Sequence, residues 1–442
     1  MIARSRGGPV ATRSLSAKQA VELLNPRDSV GFGLGPANPP ELITAMGERQ
    51  DWEDLTIGGA LLLGLFEVLA HPKVNYRCGF FGPAERYYAS QGARIDHVPG
   101  GFRQFAPILE RMAPRVMMLH ATPPQADGTV NLSLHNGATR EGLLAAGRDP
   151  KRLLIVECNP NLPVTAGFGD YQNSIPLDLI DVIVEADGPI FEMPESPVTD
   201  VDVQIAEHAL KLIPLVATLQ TGIGAIPSVV ASQLAEREGG NYGIHSEMFT
   251  DGLLKLHQAG KVSNNGKGEF EGVSVTTFAL GSKALYDFLD GNPEVAFLPV
   301  SVVNDPTVIA ENHNFISING AIAVDLYGQV VADAIDGRQV SGVGGHEDFV
   351  AGADLRVDDR SLICLRSTIE IDGELRSRIL PGLPLGAVVS TPRHHTGTVV
   401  TEYGAADLAG ATVKERAQAL AAIAHPQFRD ELMAAAVNFG RS

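Results

Sequence analysis

The sequence has few cysteines and no long apolar run, and both absences limit what the protein can be. Its 442 residues include only Cys78, Cys158 and Cys364, which lie far apart and form no C-x-x-C pair. We therefore predict buried free thiols and a reducing compartment. No apolar run approaches the ~18–20 residues that a membrane-spanning helix needs. The basic opening MIARSRGGPVATRS lacks the apolar segment of a secretory signal, so we expect a cytoplasmic protein with no membrane partner.

Positive charge is also scarce. The chain has 34 Lys and Arg against 52 Asp and Glu, a formal net charge of −18. This balance argues against broad binding to nucleic acid or to an anionic membrane. The acidic net charge is still compatible with a phosphorylated ligand in one local pocket, because backbone N–H groups and a few basic side chains can hold it.

Sequence motifs for several common chemistries are missing. Ser282 in ALGSKAL lacks the second glycine of the G-x-S-x-G elbow, which argues against a serine hydrolase. There is no H-E-x-x-H motif and no Cys/His cluster. His245 and Glu247 could share one face of a strand, but no third ligand follows, and the adjacent His394 and His395 would point to opposite faces of a strand. We predict no metal site.

Short β-branched runs alternate with helical patterns along the chain. The runs RVMMLHATP (115–123), RLLIVECNP (152–160) and DVIVEADGP (181–189) are typical of buried strands in a parallel sheet covered on both faces. AKQAVELL (17–24) and VKERAQALAAIA (413–424) predict amphipathic helices. The alternation indicates the α/β fold class.

The segment DGPIFEMPESPVTDVD (187–202) is the most linker-like, with three prolines, several acids and little periodicity. We predict two domains, 1–200 and 201–442. Two patterns recur in the same order in both halves: a G-x-G loop before proline and a helix, GLGPANPPELI and GIGAIPSVV, and later a turn glycine before a strand, DGTVNLSL and YGQVVADA. The recurrence predicts two halves of related architecture.

Two glycine-rich loops are candidate binding sites. In TLQTGIGAIPSVV (218–230) the glycines let backbone N–H groups face a ligand beside a helix N-terminus, although a tight turn that binds nothing is equally consistent. Pro227 takes the place of the third glycine of a G-x-G-x-x-G dinucleotide motif, and no G-x-x-x-x-G-K-[ST] loop is present, which disfavours NAD and ATP. The second loop, SGVGGHEDF (341–349), indicates a close backbone approach or a flexible surface connection.

The segment NYGIHSEMFTDGLLKL (241–256) places a carboxylate, Glu247, after a strand-like run. A helix pattern is predicted to begin at Met248, and an acid there would favour the positive end of a helix. By local pattern this is the simpler interpretation, with a catalytic carboxylate as the alternative. The other candidate carboxylates are Glu311, Glu347, Asp348 and Glu402. Spacing alone does not rank Glu247 above Glu402.

Six ordered motifs nevertheless resemble the acetyl-CoA hydrolase/transferase family, and within it the 4-hydroxybutyrate CoA-transferase branch. They are LQTGIGAIPSVV, YGIHSEMFTDGLLKL, FALGSKALYDFLDGNPEVAFLPVSVVNDP, SINGAIAVDLYGQV, SGVGGHEDFVAGA and VVTEYGAADLAG. The first half carries the resemblance more thinly, in GLGPANPPELI, ADGTVNLSLHNGAT and VECNPNLPVT. The resemblance implies two tandem, similar open α/β domains with the active site in the cleft between them, and a homodimer or higher homo-oligomer.

The resemblance also implies roles for individual residues. Glu247 matches the family's covalent nucleophile in the segment H-[ST]-E-M, and ionised attack predicts that it is partly buried next to hydrogen-bond donors. Asn304 matches a position that contacts the acyl group. The residues that match CoA-contacting loops are Gly222, Ile223, Gly224, Ala225, Ile226, Ser341, Gly344 and Gly345. A lysine that binds CoA in part of the family has no clear counterpart, and Arg366 is the nearest basic candidate. The segment PRHHTGTVV (392–400) departs from the family pattern.

The function that these residues imply is transfer of CoA from an acyl-CoA to a small carboxylic acid, with no permanently bound cofactor and coenzyme A as a substrate. An acyl-CoA hydrolase would use the same glutamate and differ only in letting water resolve the intermediate. A non-catalytic CoA-binding subunit is the third alternative, and the retention of Glu247 argues against it.

Overall fold

The computed structural model describes residues 12–194, 196–353, 355–437 and 439. Contacts divide the chain into two units. The first runs to Met193 and also includes Thr276–Val302, and the second comprises Pro194–Val275 and the chain from Val303 onwards. The predicted division after residue 200 stays a prediction.

The first unit is built on an eight-stranded parallel sheet. Its strands are Arg13–Ser14 (β1), Arg27–Phe32 (β2), Asp54–Gly59 (β3), Val74–Cys78 (β4), Arg94–His97 (β5), Val116–Ala121 (β6), Leu153–Cys158 (β7) and Val182–Glu185 (β8). Their order in space is β1-β8-β7-β6-β2-β3-β4-β5. The three strands predicted from continuous apolar runs are β6, β7 and β8, and they are neighbours. That prediction is confirmed.

Side chains on both faces of this sheet are buried. In β6, Val116 and Met118 belong to one hydrophobic cluster, whereas Met117 and Leu119 belong to another. Successive side chains of a strand point to opposite faces, so the sheet is covered on both sides. This is why the strand sequences are continuously apolar rather than alternating.

The second unit has a six-stranded sheet. Its strands are Thr218–Thr221 (β9), Gly243–Ile244 (β10), Phe315–Gly320 (β11), Arg360–Cys364 (β12), Thr398–Thr401 (β13) and Gly404–Asp407 (β14). The order is β10-β9-β11-β12-β13-β14, and only the β13–β14 pair is antiparallel. The chain is therefore of the α/β class with largely parallel sheets, as predicted.

The helices connect these strands. They are Ala17–Val21 (α1), Pro40–Glu48 (α2), Pro83–Ser90 (α3), Phe105–Met112 (α4), Arg140–Arg148 (α5), Asp200–Leu210 (α6), Ala225–Glu236 (α7), Asp251–Gln258 (α8), Lys283–Leu289 (α9), Val300–Val303 (α10), Pro306–Ile309 (α11), His346–Ala353 (α12), Val413–Ala422 (α13) and Pro426–Ala436 (α14). Both predicted amphipathic helices form, as α1 and α13. In the described ranges, none of these helices is long and apolar enough to cross a membrane.

Shorter strands and 3-10 turns complete the fold. The strands are Thr129–Asn131, Ser174–Pro176, Met248–Phe249, Ser274–Thr276, Phe278–Ala279, Val295–Phe297, Ala323–Asp325, Val330–Val331, Ala334–Ile335, Arg338–Gln339, Thr368–Ile371, Glu374–Ser377 and Ile379–Leu380. The 3-10 turns are Gly35–Ala37, Glu67–Ala70, Phe102–Gln104 and Leu177–Leu179. All three cysteines are buried and free, as predicted.

The recurring sequence patterns correspond to recurring local structure. In the first unit β2 is followed by a glycine loop and α2, and in the second β9 is followed by a glycine loop and α7. Gly35 and Gly224 in these loops have φ of 56° and 120°, which side-chain-bearing residues rarely adopt. The loop glycines therefore shape both strand-to-helix turns.

Candidate active site

The backbone around Glu247 differs from the local prediction. Met248–Phe249 is a short strand, and helix α8 begins only at Asp251, after the N-cap residue Thr250. The prediction that a helix begins at Met248 is therefore wrong. Both residues are buried, which suits a strand inside the unit as well as a helix face. Glu247 consequently does not lie in the first turn of a helix, and the helix-start interpretation of its carboxylate no longer applies.

The Glu247 carboxylate lies among hydrogen-bond donors. It is partly buried. Asn304 Nδ2 donates to Glu247 Oε2 over 2.6 Å, and the backbone N–H of Gly345 also donates to this carboxylate. Glu247 thus has the partial burial and the neighbouring donors that ionised attack requires.

Burial is the main reason why the pKa of Glu247 rises from 4.5 to about 8. The charge of Asp348 raises the pKa further, whereas the hydrogen bonds from Asn304 and Gly345 lower it. The ionised form is therefore poorly solvated and basic, which suits a carboxylate that must attack a carbonyl carbon.

Gly345 is needed because Glu247 lies directly against it. A Cβ built on Gly345 would overlap the Glu247 carboxylate and the Asn304 side-chain nitrogen. Gly345 immediately precedes helix α12, so its N–H can face the carboxylate at close range. The absence of a side chain at this position therefore lets the backbone donor approach.

Asn304 is fully buried and directly follows the short helix α10. Its neighbour Val303 accepts a 2.8 Å hydrogen bond from His245 Nε2, and Asn312 Nδ2 lies 3.3 Å from His245 Nδ1. Burial lowers the pKa of His245 to about 3, so the ring is neutral. Both ring nitrogens have neighbouring polar partners, so His245 supports the backbone that leads to Asn304.

The other candidate carboxylates have structural partners. Glu402 accepts hydrogen bonds from Ser367 N and Oγ at 2.9 and 2.6 Å. Glu311 forms a surface ion pair with Arg356. The choice of Glu247 over Glu402 therefore rests on the family resemblance and stays a prediction.

A groove of about 250 Å³ lies at the start of α7, and four of its lining residues are Ile223, Gly224, Ala225 and Ile226. Among the residues that the structure describes, no side chain caps the N-terminus of α7. The loop begins next to the segment that contains Glu247, because Ser246 Oγ lies 3.4 Å from the carbonyl oxygen of Thr221. The loop therefore offers backbone donors at an open helix end.

In the first unit, the N-terminus of the corresponding helix, α2, is bound by a carboxylate of the same chain. Glu157 is fully buried, and it accepts hydrogen bonds from the N–H groups of Glu41 and Leu42 in the first turn of α2, at 3.2 and 2.9 Å. Burial raises the pKa of Glu157 to about 7. The N-terminus of α2 is thus bound by the Glu157 side chain, whereas the described residues supply no side-chain cap for the N-terminus of α7.

Two arginines also line the groove at α7. Arg366 forms a bidentate pair with Asp202, with Nε–Oδ1 and Nη2–Oδ2 distances of 2.9 and 2.7 Å. Within the described part of the chain, the Arg378 guanidinium has no such partner, and burial together with Arg366 lowers its pKa. Arg378 is therefore the cation available to an anionic ligand.

The chain is similar to known proteins over most of its length. Residues 281–436 match the family model described as the acetyl-CoA hydrolase/transferase C-terminal domain. The chain is 36% identical to 4-hydroxybutyrate coenzyme A transferase of Clostridium kluyveri over 95% of this chain and 96% of the relative. It is 34% identical to butyryl-CoA:acetate CoA-transferase of Anaerostipes caccae, over 95% and 94%. The crystal structure of RipA from Yersinia pestis has a TM-score of 0.87 at 31% identity, covering 96% and 97%.

The chain belongs to the acetyl-CoA hydrolase/transferase family. The resemblance inferred from six motifs is therefore confirmed.

Of the residues that the family resemblance marks, the structure brings Glu247, Asn304 and Gly345 into direct contact. The loop from Gly222 to Ile226 lies next to the strand that leads to Glu247. Ser341 hydrogen-bonds within its own turn, to the carbonyl oxygen of Gly342, and Gly344 turns the chain with φ of 57°. Their predicted roles towards CoA stay predictions.

Two residues near this site were not assigned a role from the sequence. Asp348 was one of several acids, but its Oδ2 lies 3.2 Å from Asn304 Nδ2. Its position three residues after Gly345, on a helix, was the only signal for it. Arg378 had none, because this residue, in the bend between the strands Glu374–Ser377 and Ile379–Leu380, is far along the chain from the loop that it meets at the groove. In the segment 392–400, which departs from the family pattern, His395 Nδ1 lies 3.2 Å from Oε2 of Glu347 in α12.

Proposed function

We propose that this protein is a CoA-transferase that moves CoA from an acyl-CoA to a small carboxylic acid, with Glu247 as the nucleophile. The observation that carries the proposal is the Glu247 carboxylate held against the Asn304 amide and the Gly345 N–H. A carboxylate that is desolvated but hydrogen-bonded can attack a carbonyl carbon.

In the first step a Glu247 carboxylate oxygen attacks the acyl carbonyl of the thioester. Negative charge moves to the former carbonyl oxygen, and Asn304 Nδ2–H and Gly345 N–H are donors available nearby to stabilise it. The C–S bond then breaks. CoA leaves as the thiolate, and an acyl-glutamyl anhydride remains on the enzyme.

In the second step the thiolate attacks the side-chain carbonyl carbon of Glu247. The donor acid leaves as a carboxylate that carries one oxygen from Glu247, and the enzyme holds a glutamyl-CoA thioester. The acceptor carboxylate attacks this thioester and expels the thiolate. The thiolate then attacks the new acyl carbonyl, which releases the product acyl-CoA and restores Glu247. The expected kinetics are ping-pong.

CoA itself would bind along the open glycine loop at α7. The backbone N–H groups from Ile223 to Ile226 and the Arg378 guanidinium lie around this groove on an otherwise acidic protein, next to Arg366, whose charge is paired with Asp202. Diphosphate groups match such donors, and guanidinium groups bind them with charge-assisted hydrogen bonds. Binding energy from this remote part of CoA would help to drive the covalent steps.

Acyl-CoA hydrolysis is the second candidate function, because the same glutamyl intermediates can be resolved by water. A non-catalytic CoA-binding subunit would need neither Glu247 nor its donors. We further propose a homodimer or higher homo-oligomer, as the family resemblance implies, and a cytoplasmic location. Light scattering after gel filtration tests the oligomer.

The test of the proposed function is covalent trapping. The protein is incubated with acetyl-CoA, treated with borohydride or hydroxylamine and digested, and the modified residue is identified by mass spectrometry. Modification of Glu247 is expected. Modification of another residue, or activity that survives Glu247→Ala, rules out the mechanism. Thioester loss that is as fast without an acceptor acid as with one identifies a hydrolase instead.

A further inference from the structure

We propose that Asp348 is a positioning residue that orients the Asn304 carboxamide towards the reacting oxygens at Glu247. The proposal rests on the proposed function of Glu247 as the nucleophile. Asp348 is almost fully buried on helix α12, three residues after Gly345. It thus belongs to the same element that brings the Gly345 N–H to the site.

Asn304 Nδ2 lies between two carboxylates. It is 2.6 Å from Glu247 Oε2 and 3.2 Å from Asp348 Oδ2. Ionised carboxylates accept hydrogen bonds only, so the amide must turn its NH₂ group towards both. One N–H is then held by Asp348, and the other is directed at Glu247.

The opposite end of the amide does not fix this orientation. Asn304 Oδ1 is buried and has no hydrogen-bond partner among the described residues. His245 holds the backbone at Val303 but does not contact the carboxamide in any hydrogen bond that we observe there. Rotation of the amide is therefore restrained mainly from the Nδ2 side, and Asp348 supplies the restraint that persists when Glu247 has reacted.

Asp348 also affects the charge of the nucleophile. Its negative charge opposes ionisation of Glu247, whereas the Asn304 hydrogen bond favours it. When the attack carries charge from Glu247 to the thioester oxygen, this repulsion is relieved. Asp348 would therefore both align the donor and disfavour the resting carboxylate relative to the covalent states.

The other titratable groups around these residues have separate contacts. Two residues before Glu247, His245 faces Val303 and Asn312. On α12, His346 faces Thr391, and Glu347 faces Thr391 and His395.

Lys267 donates to the carbonyl oxygen of Val273, and burial lowers its pKa to about 7. It therefore titrates in the same pH range as Glu247. All variants used below retain Lys267, so its titration is common to every profile.

The experiment compares Asp348→Asn, Asp348→Ala and the matched control Glu347→Gln. The rate of glutamyl-CoA thioester formation is measured in single turnovers across pH 5.5–9.5, together with the KM for acyl-CoA. Asp348→Ala removes the acceptor and should slow the step about 10- to 100-fold. Asp348→Asn retains an acceptor oxygen and should recover part of this rate.

Both Asp348 variants should shift the midpoint of the pH profile to lower pH, because the neighbouring negative charge is gone. The KM should stay within about twofold, since Asp348 is not expected to hold CoA. If Asp348→Ala fails to fold, the midpoint shift in the isosteric Asp348→Asn variant decides the question.

An unchanged midpoint in Asp348→Asn, a rise in KM without loss of rate, or an equal effect of Glu347→Gln overturns the proposal. Failure of the proposed function has a different result, since wild-type protein would then form no thioester at Glu247.

Discussion

The Gly345 Cα lies so close to the Glu247 carboxylate that no side chain fits between them. This relationship makes Gly345→Ala a direct probe of the site. The added methyl group must displace Glu247 or Asn304, so we expect kcat to fall about 100-fold with the fold retained. Gly382→Ala is the matched control, because its new Cβ would meet open space. Steady-state kinetics and circular dichroism test both variants. Equal activity of the two alanine variants would contradict the close contact.

Asn304→Ala removes one donor from the developing oxyanion. We expect kcat to fall about 10²- to 10³-fold, with little change in the KM for acyl-CoA. The midpoint of the pH–rate profile should move to higher pH, because the hydrogen bond that favours ionised Glu247 is lost. Asn265→Ala, at an exposed position of the same unit, should behave as wild type. A lower midpoint in Asn304→Ala would show that the amide does not stabilise the carboxylate.

Arg378→Gln should weaken CoA binding while leaving the chemical step intact. Loss of one charge-assisted phosphate contact predicts a KM for acyl-CoA that is about tenfold higher at unchanged kcat. High salt should reduce the difference. Arg376→Gln is a suitable control, because Arg376 is exposed and pairs with Glu374. If Arg378→Gln changes kcat alone, or if Arg376→Gln has the larger effect, the groove at α7 does not hold the phosphates.

The raised pKa of Glu247 predicts a cost to stability that depends on pH. Its pKa is about 8 in the folded protein against 4.5 ordinarily. Between these values the folded protein binds a proton that the unfolded chain has lost, so stability falls as pH rises through this range.

Glu247→Gln removes the ionisation and should therefore be more stable than wild type at pH 9, by up to about 5 kcal/mol, and within about 1 kcal/mol of it at pH 5. Urea unfolding at the two pH values measures the difference. Glu311→Gln, at an exposed ion pair, serves as the control. A gain that is the same at both pH values would show that Glu247 ionisation is not the cause.

Much of the fold could be predicted from the sequence where one local pattern dominates. Strands β6, β7 and β8 are continuously apolar because both faces of their sheet are buried, and they were predicted correctly. The segment from Met248 to Phe249 was not, because two adjacent apolar residues fit a strand and a helix equally well.

The site was predictable only in part. Glu247, Asn304 and Gly345 lie far apart in sequence and were brought together by family resemblance rather than by spacing. The roles inferred for Asp348 and Arg378 depend on residues that are distant along the chain. Asp348 contacts Asn304, and Arg378 lies at the groove beside the loop before α7. The local sequence marked Asp348 only as one of several candidate acids and did not mark Arg378, so the contacts themselves are identified only in the folded structure.

Isotope transfer tests the central claim, covalent catalysis by Glu247, most directly. The enzyme is turned over with acetyl-CoA and acetate whose carboxylate carries a heavy oxygen isotope, and is then denatured and digested. Because the acceptor oxygen bridges to Glu247 in the anhydride and stays there when the thiolate attacks the acyl carbon, the Glu247 peptide should gain heavy oxygen. The gain should require acetyl-CoA. Transfer that continues while Glu247 keeps only its original oxygens would contradict the account.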